Sequence, residues 1–244
     1  MEINTSERVY STEYEVPFYD ADYLERMKPS AILKAFSQIA GEDYIDRGMT
    51  HHFLEEYGMA FLVSKVAIKV HKYPSHEDRI KVSTWECGKK GVRFIRGYEM
   101  RNEAGELLID GEGYWICVDM QKRSVLRPSQ FKWICPQLDK QPSVHIQRIK
   151  QSESFEHIAD HKLKFSELDS NGHLYNANYG NVITDILSQE EYERGISFLQ
   201  IDFNHEATIG DTIKLSRGMT DGFIQITGTV DGNSCFDSIM KLKD

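Results

Sequence analysis

The chain repeats itself, and the repeat limits what it can fold into. Phe18-Tyr-Asp-Ala-Asp22 lines up with Phe165-Ser-Glu-Leu-Asp169 at an offset of 147 residues. Val66–Val82 lines up with Leu199–Leu215 at 133, with Ile68/Ile201, Asp78/Asp211, Ile80/Ile213 and Lys81/Lys214 identical. Phe94-Ile95 matches Phe223-Ile224 at 129. Three blocks in the same order imply a duplicated unit, shorter in its second copy. A chain of 244 residues then holds two small units rather than one large one.

Both copies show one plan. A short strand opens each, expected at Tyr14–Tyr19 and Lys162–Phe165. A helix follows. In the first copy Pro29 suits a first helical turn, and Ile32, Ala35, Phe36 and Ile39 recur at helical spacing. That predicts a helix over Pro29–Arg47. In the second copy Tyr175, Tyr179, Val182, Ile183, Ile186 and Leu187 predict another, capped by Asn176 or Asn178. Strands come next. Val66, Ile68 and Val70 alternate with Lys65, Ala67 and Lys69; Leu199, Ile201 and Phe203 do so with Gln200, Asp202 and Asn204. Three more strands are expected in each copy: Arg79–Glu86, Val92–Arg101 and Leu107–Asp119, then Thr212–Met219, Phe223–Val230 and Cys235–Lys241. One helix followed by an antiparallel sheet is an α+β unit, and two such units in one chain can pair as a fused dimer. The units are expected at 1–127 and 161–244. The proline-containing, polar stretch 128–160 is read as their connector.

Composition removes several functions. A charge of −9 argues against a nucleic-acid partner. The densest basic cluster is Lys122, Arg123, Arg127 and Lys132, which an acidic partner would need. The longest apolar runs, Met59–Val63 and Tyr114–Val118, are far short of the ~20 residues that cross a membrane. The N-terminus lacks the basic and apolar regions of a secretory signal. Cys87, Cys117, Cys135 and Cys235 have no CxxC spacing and read as reduced thiols of a cytoplasmic protein. His51-His52 has no third ligand at a metal-binding spacing, so no metal is expected. No phosphate-cradling glycine loop occurs, so no cofactor is expected either.

The richest polar cluster is Asp169-Ser-Asn171-Gly-His173-Leu-Tyr-Asn176-Ala-Asn178-Tyr179. It lies between a strand and a predicted helix. A helix start offers unpaired N–H groups to a developing oxyanion, and a histidine beside it can move protons near neutral pH. Asp169 and the asparagines also suit turn capping. The repeat distinguishes the residues. At offset 147 the partners of Asp169, Asn171 and His173 are Asp22, Leu24 and Arg26. Only the second copy carries the asparagine and the histidine, which points to a site in that copy alone.

Leu168-Asp-Ser-Asn-Gly-His-Leu-Tyr-Asn-Ala-Asn-Tyr179 resembles the LDxNxHVNNxxY motif of acyl-acyl carrier protein (acyl-ACP) thioesterases, the plant FatA/FatB type and its bacterial relatives. The opening Tyr14–Asp22 resembles that family's N-terminal strand. The resemblance runs over nearly the whole chain. It implies a tandem double hotdog fold, each half an antiparallel sheet around a long helix. It also implies a hydrolase that releases free fatty acid from acyl carrier protein in fatty acid biosynthesis. The alternatives are an acyl-CoA thioesterase of the same superfamily and a non-catalytic acyl-binding protein.

The resemblance further implies a catalytic glutamate, matched by Glu206. It sets Ala207 where plant enzymes have cysteine, and Tyr175 where the motif has its first asparagine. The implied catalytic set is Asp169, Asn171, His173 and Glu206. Glu206 would be the base or orient the attacking water, and Asn171 would position that water or the thioester carbonyl. His173 would hold the network, Asp169 would orient His173 or Asn171, and amides near the second helix would hold the oxyanion. Without a thiol at Ala207, water itself must attack. Strand parity puts Glu206 on the polar side unless a strand end re-aims it. The acyl pocket is expected in the first half, and the expected substrate-binding residues are Ile32, Phe36, Phe61 and Asn176. The implied partner is acyl carrier protein bearing a 4'-phosphopantetheine thioester, and the fused pair is expected to be a monomer or a homodimer.

Overall fold

A computed structural model describes residues 3–244. In the first half, β1 (Tyr10–Glu15) leads through a 3-10 turn at Phe18–Asp20 to helix α1 (Pro29–Asp46), a short α2 (His51–Glu56), and strands β2 (Met59–Val70), β3 (Arg79–Lys90), β4 (Arg93–Asn102), β5 (Leu107–Asp119) and β6 (Ser124–Leu126). In the second half, β7 (Glu156–Lys162) leads through 3-10 turns at Phe165–Glu167 and Asn176–Asn178 to α3 (Tyr179–Thr184), α4 (Gln189–Arg194), β8 (Ile196–Phe203), β9 (Thr212–Thr220), β10 (Phe223–Val230) and β11 (Asn233–Leu242).

The strands form one sheet in the order β1-β3-β4-β5-β2-β8-β11-β10-β9-β7, with β6 paired to β5. The order is a palindrome in topology. Read inward from either edge, each half follows the same path, and the halves join where β2 and β8 pair antiparallel, Lys65 opposite Asp202 and Lys69 opposite Phe198. The duplication therefore became a continuous sheet. Pairing β2 with β8 satisfies two rows of backbone groups that would otherwise be exposed edges.

Helix α1 lies on the first half of this sheet. Its apolar stripe packs into a core with Val66, Ile68, Tyr98 and Ile109. Phe36 stacks on Tyr98 with ring centroids 4.5 Å apart. The stack needs Gly111 on β5 beneath it, because a Cβ there would stand 2.4 Å from the Phe36 ring.

The opening strands lie earlier than the sequence suggested, at Tyr10–Glu15 and Glu156–Lys162. In both copies the expected segment turns into a 3-10 turn after the strand. In the first, Pro17 has no N–H to give the ladder and begins that turn. The predicted second helix is also divided. Thr184 Oγ1 bonds back to the carbonyls of Gly180 and Asn181, and α3 stops there. Ser188 then starts α4 with a capping box, its hydroxyl accepting from the Glu191 amide and the Glu191 carboxylate accepting from the Ser188 amide. The second half thus has a short helix where the first has a long one.

The connector between Leu126 and Glu156 crosses the sheet face opposite α1. Its amides are received by side chains rising from that face. Ser143 donates to Asp110, Ile146 to Glu112, Gln147 to Gln200 and Ser152 to Gln225. Asp110, Glu112, Gln200 and Gln225 are all buried. These polar side chains, at alternate strand positions, pair with the chain that crosses above them.

Candidate active site

The two copies build the same turn at the same place. Asp22 Oδ1 accepts from the amides of Leu24 and Arg26, at 2.8 and 2.9 Å. Asp169 Oδ1 accepts from the amides of Asn171 and His173, at 2.8 and 3.2 Å. Isolated bridges Ala21–Met27 and Leu168–Leu174 close both turns. A second pair, Arg26–Ser75 and His173–Thr208, ties each turn to the loop that follows β2 or β8. Asp169 is therefore a turn-building residue. It receives backbone N–H groups and makes no side-chain hydrogen bond to the His173 ring among the described residues. What differs between the copies is what the turn carries.

In the second copy the turn presents Asn171 and His173 to Glu206. The strand β8 ends at Phe203, so Glu206 sits in the following loop, free of strand parity. His173 Nε2 lies 3.3 Å from Glu206 Oε2, with the carboxylate half exposed and the imidazole more covered. Asn171 is exposed, and its carboxamide is bonded to no described residue, which leaves it open to a ligand. In the first copy the matching positions hold Arg26 and Tyr73, with the guanidinium 5.2 Å from the centre of the Tyr73 ring. Arg26 also caps the end of α4, donating to the carbonyls of Tyr192 and Glu193, and Tyr73 Oη bonds the backbone of Ile196. That crevice is filled. The duplicate position has become a clamp between the halves.

Asn171, His173 and Glu206 line one end of a cavity of about 710 Å³. This lies within the ~300–1,000 Å³ of ordinary small-molecule sites. The rest of its wall comes from the first half. Ser37, Ala40, Gly41 and Tyr44 of α1, Phe61 of β2, Phe94 of β4 and Trp115 of β5 line it. The site thus draws on both units: Asn171, His173 and Glu206 from the second copy and a largely apolar trough, with Glu86 and Arg96 in its wall, from the first. Ile32 is fully buried in the core and does not reach the cavity. Phe36 and Asn176 line a separate space of about 20 Å³, which shares Ser37 and Trp115 with the main cavity. The expected placement of Ile32 and Phe36 in the trough is corrected: the trough opens past Phe36 on the helix, where side chains are small.

Two wall residues escaped the sequence reading. Arg96 and Glu86 are buried and line the cavity. Parity held the signal for Arg96, which sits between Phe94 and Tyr98 on β4.

Ala207 is fully buried and packs in the main core, while its carbonyl accepts from the Leu174 amide. A side chain here faces away from the trough. The native thiols are equally removed. Burial pushes Cys117, Cys135 and Cys235 up to about 11 and Cys87 to about 12, so all four stay protonated at neutral pH, and none lines the cavity. Thiol-alkylating reagents should therefore leave turnover by the native protein unchanged. Ala207→Cys should gain no alkylation-sensitive activity and should lose about 1–3 kcal/mol of stability by overpacking. Rate assays before and after reagent check both.

The family profile for the acyl-ACP thioesterase N-terminal domain matches residues 7–130, and that for the C-terminal domain matches residues 149–234. The chain belongs to the acyl-ACP thioesterase family. An acyl-ACP thioesterase from Bacteroides thetaiotaomicron VPI-5482 superposes with a TM-score of 0.88 at 18% identity, covering 96% of this chain and 98% of that one. The 12:0-ACP thioesterase from Umbellularia californica gives 0.82 at 14%, covering 96% and 97%. A putative oleoyl thioesterase from Lactobacillus plantarum gives 0.79 at 16%, covering 98% of each. No curated protein sequence matches the chain significantly. At such identities the superpositions establish a shared fold, the tandem hotdog arrangement. This acyl-ACP thioesterase hydrolyses a thioester and releases a free fatty acid. No helix among its described residues is long and apolar enough to cross a membrane.

Proposed function

We propose that Glu206, His173 and Asn171 carry the hydrolysis. The acyl chain lies in the trough and the thioester carbonyl stands at its polar end. Glu206 takes a proton from water as the water oxygen attacks the carbonyl carbon. The tetrahedral intermediate then expels the pantetheine sulfur. His173, 3.3 Å from Glu206, relays the proton from that carboxyl to the departing sulfur. A thiol with a pKa near 8.5 is a good leaving group, so the larger demand falls on activating water. Asn171 has a free carboxamide to orient the water or polarise the carbonyl. Asp169 acts indirectly, by fixing the turn that carries both residues. The observation that carries this reading is the 3.3 Å contact between His173 and Glu206 at the end of an apolar cavity.

The carrier in this reading is acyl carrier protein with its 4'-phosphopantetheine arm. Arg123 is exposed and lines the same cavity, and Lys122 is exposed next to it in sequence. Arg127 and Lys132 are exposed further along the same segment. Acyl carrier protein is acidic, so docking there is electrostatic and weakens as the screening length falls to ~8 Å at physiological salt. Thiol release should be compared for acyl-ACP and acyl-CoA of matched chain length. The expected result is a higher kcat/KM for acyl-ACP, a KM that rises with salt, and a further rise in KM for Arg123→Glu with kcat little changed. A preference for acyl-CoA that is insensitive to salt would assign the enzyme to the other carrier.

A further inference from the structure

The acyl trough ends in charge. β3 lies four strand spacings from β8, roughly 19 Å across the sheet from the strand whose end leads to Glu206. There Glu86 of β3 and Arg96 of β4 stand opposite one another in register. Arg96 Nη2 donates to Glu86 Oε1 at 2.6 Å and to Asp43 Oδ2 at 2.6 Å. The guanidinium covers the Tyr44 ring at 4.9 Å, and Tyr44 packs edge-on against Phe61. Both charged side chains are more than nine-tenths buried, at 7% and 4% exposed, and both line the cavity. Among the described residues, Glu86 Oε2 accepts no hydrogen bond and the Tyr44 hydroxyl makes none. Two groups with spare hydrogen-bonding capacity thus stand in the trough beside the aromatic wall of Phe61, Phe94 and Trp115. Holding α1 to the sheet does not require Glu86, because Asp43 already binds Arg8, Arg47 and Arg96.

We propose that Glu86, oriented by Arg96, is a specificity-determining residue that rejects alkyl chain ends reaching it and accepts acyl chains carrying a hydroxyl at their far end. The physical reason is desolvation. A methyl group pressed on Glu86 Oε2 strips its water and returns no hydrogen bond. A terminal hydroxyl replaces that water and donates to the carboxylate, a charged hydrogen bond of the stronger kind. The Tyr44 hydroxyl can donate to the same oxygen of the ligand. Saturated chains are then limited to lengths that stop short of Glu86, while ω-hydroxy chains of the full cavity length fit. This rests on the proposal that the trough takes the acyl chain.

The test reads binding as well as turnover. Affinities of a series of straight-chain fatty acids and their ω-hydroxy counterparts are measured by calorimetry on native protein, Glu86→Leu, Glu86→Gln and Tyr44→Phe, with kcat/KM measured on the matching thioesters. For the native protein, alkyl affinity should rise with length and then fall. At the length where it falls, the ω-hydroxy acid should bind about tenfold or more tightly than the alkyl acid. Glu86→Leu should erase that preference and move the alkyl optimum to longer chains; Tyr44→Phe should reduce the preference. Equal binding of the two series by native protein, or a preference that survives Glu86→Leu, overturns the proposal. If Glu86→Leu does not fold, Glu86→Gln decides: it keeps the volume, so an unchanged preference overturns the proposal and a weakened one supports it. Binding is measured on the free acids, so absence of turnover would reject the catalytic assignment and leave this result standing.

Discussion

Glu206→Ala is expected to lower kcat for acyl-ACP by a factor of about 10²–10⁴, the usual contribution of a general base, with unfolding stability changed by no more than about 0.5 kcal/mol. Both halves of that expectation follow from position. Glu206 sits in the loop after β8, half exposed, and its one ionic partner among the described residues is His173. It holds no helix or strand in place. The turn beside it is closed by Asp169 and the Leu168–Leu174 bridge, and the His173–Thr208 bridge joins the loop through the backbone. Removing the carboxylate should therefore leave the geometry of Asn171 and His173 standing while taking away the acceptor of the water proton. Glu206→Gln separates two roles. The amide can still bond the imidazole but cannot take a proton, so a base predicts a loss as large as that of the alanine variant, whereas a residue that only positions His173 predicts recovery. Single-turnover thiol release from acyl-ACP, with thermal unfolding of each variant, makes the measurement. Near-normal turnover by Glu206→Ala in a folded protein would reject the mechanism.

The duplicated plan was legible because repeats preserve spacing. The offset of 147 paired Asp22 with Asp169, and the structure gives those two carboxylates the same backbone partners. The offset of 133 paired Tyr73 with Glu206, the positions facing Arg26 and His173. Periodicity was less informative about the trough. Helical spacing gathered Ile32, Phe36 and Ile39 on the buried side of α1, but it cannot say where that side meets protein and where it meets open space. Phe36 meets Tyr98 and fills its site. One turn on, Ala40 and Gly41 are too small to do so, and the cavity begins. Polar residues misled for a related reason. Gln200 and Gln225 are fully buried because a distant connector crosses over them, which no local pattern encodes. The end of β1 was missed because both copies leave the strand early, and the divided second helix because Thr184 and Ser188 act through side-chain bonds within its own span.

Asp43→Ala is expected to destabilise the enzyme by about 3–5 kcal/mol, the cost of breaking a buried ion pair from one side. For a chain of this size that is a fall in Tm on the order of 10 °C. Asp43 is 1% exposed near the end of α1. Its Oδ1 accepts from Arg8 Nε at 2.9 Å and Arg47 Nε at 3.1 Å, and its Oδ2 from Arg96 Nη2 at 2.6 Å. Burial alone would raise its pKa. The Arg96 guanidinium, with Arg47 and Arg8, more than offsets that and holds the carboxyl below its ordinary value. Alanine would leave Arg47 and Arg96 buried with one acidic neighbour fewer and α1 without its main tie to β4. Asp46 serves as the control. It also pairs with Arg8 but is half exposed, and an exposed pair contributes about 0–1 kcal/mol, so Asp46→Ala should barely move Tm. The sign with pH is fixed by the direction of the shift. A depressed carboxyl contributes stability that is complete above its unfolded value, near 3.9, and is lost as pH falls through the lower folded value. The gap in Tm between native protein and Asp43→Ala should be constant near neutrality and narrow below about pH 4. A gap of only one or two degrees at neutral pH would mean that the three arginines are satisfied without Asp43, and that α1 is held by its apolar face alone.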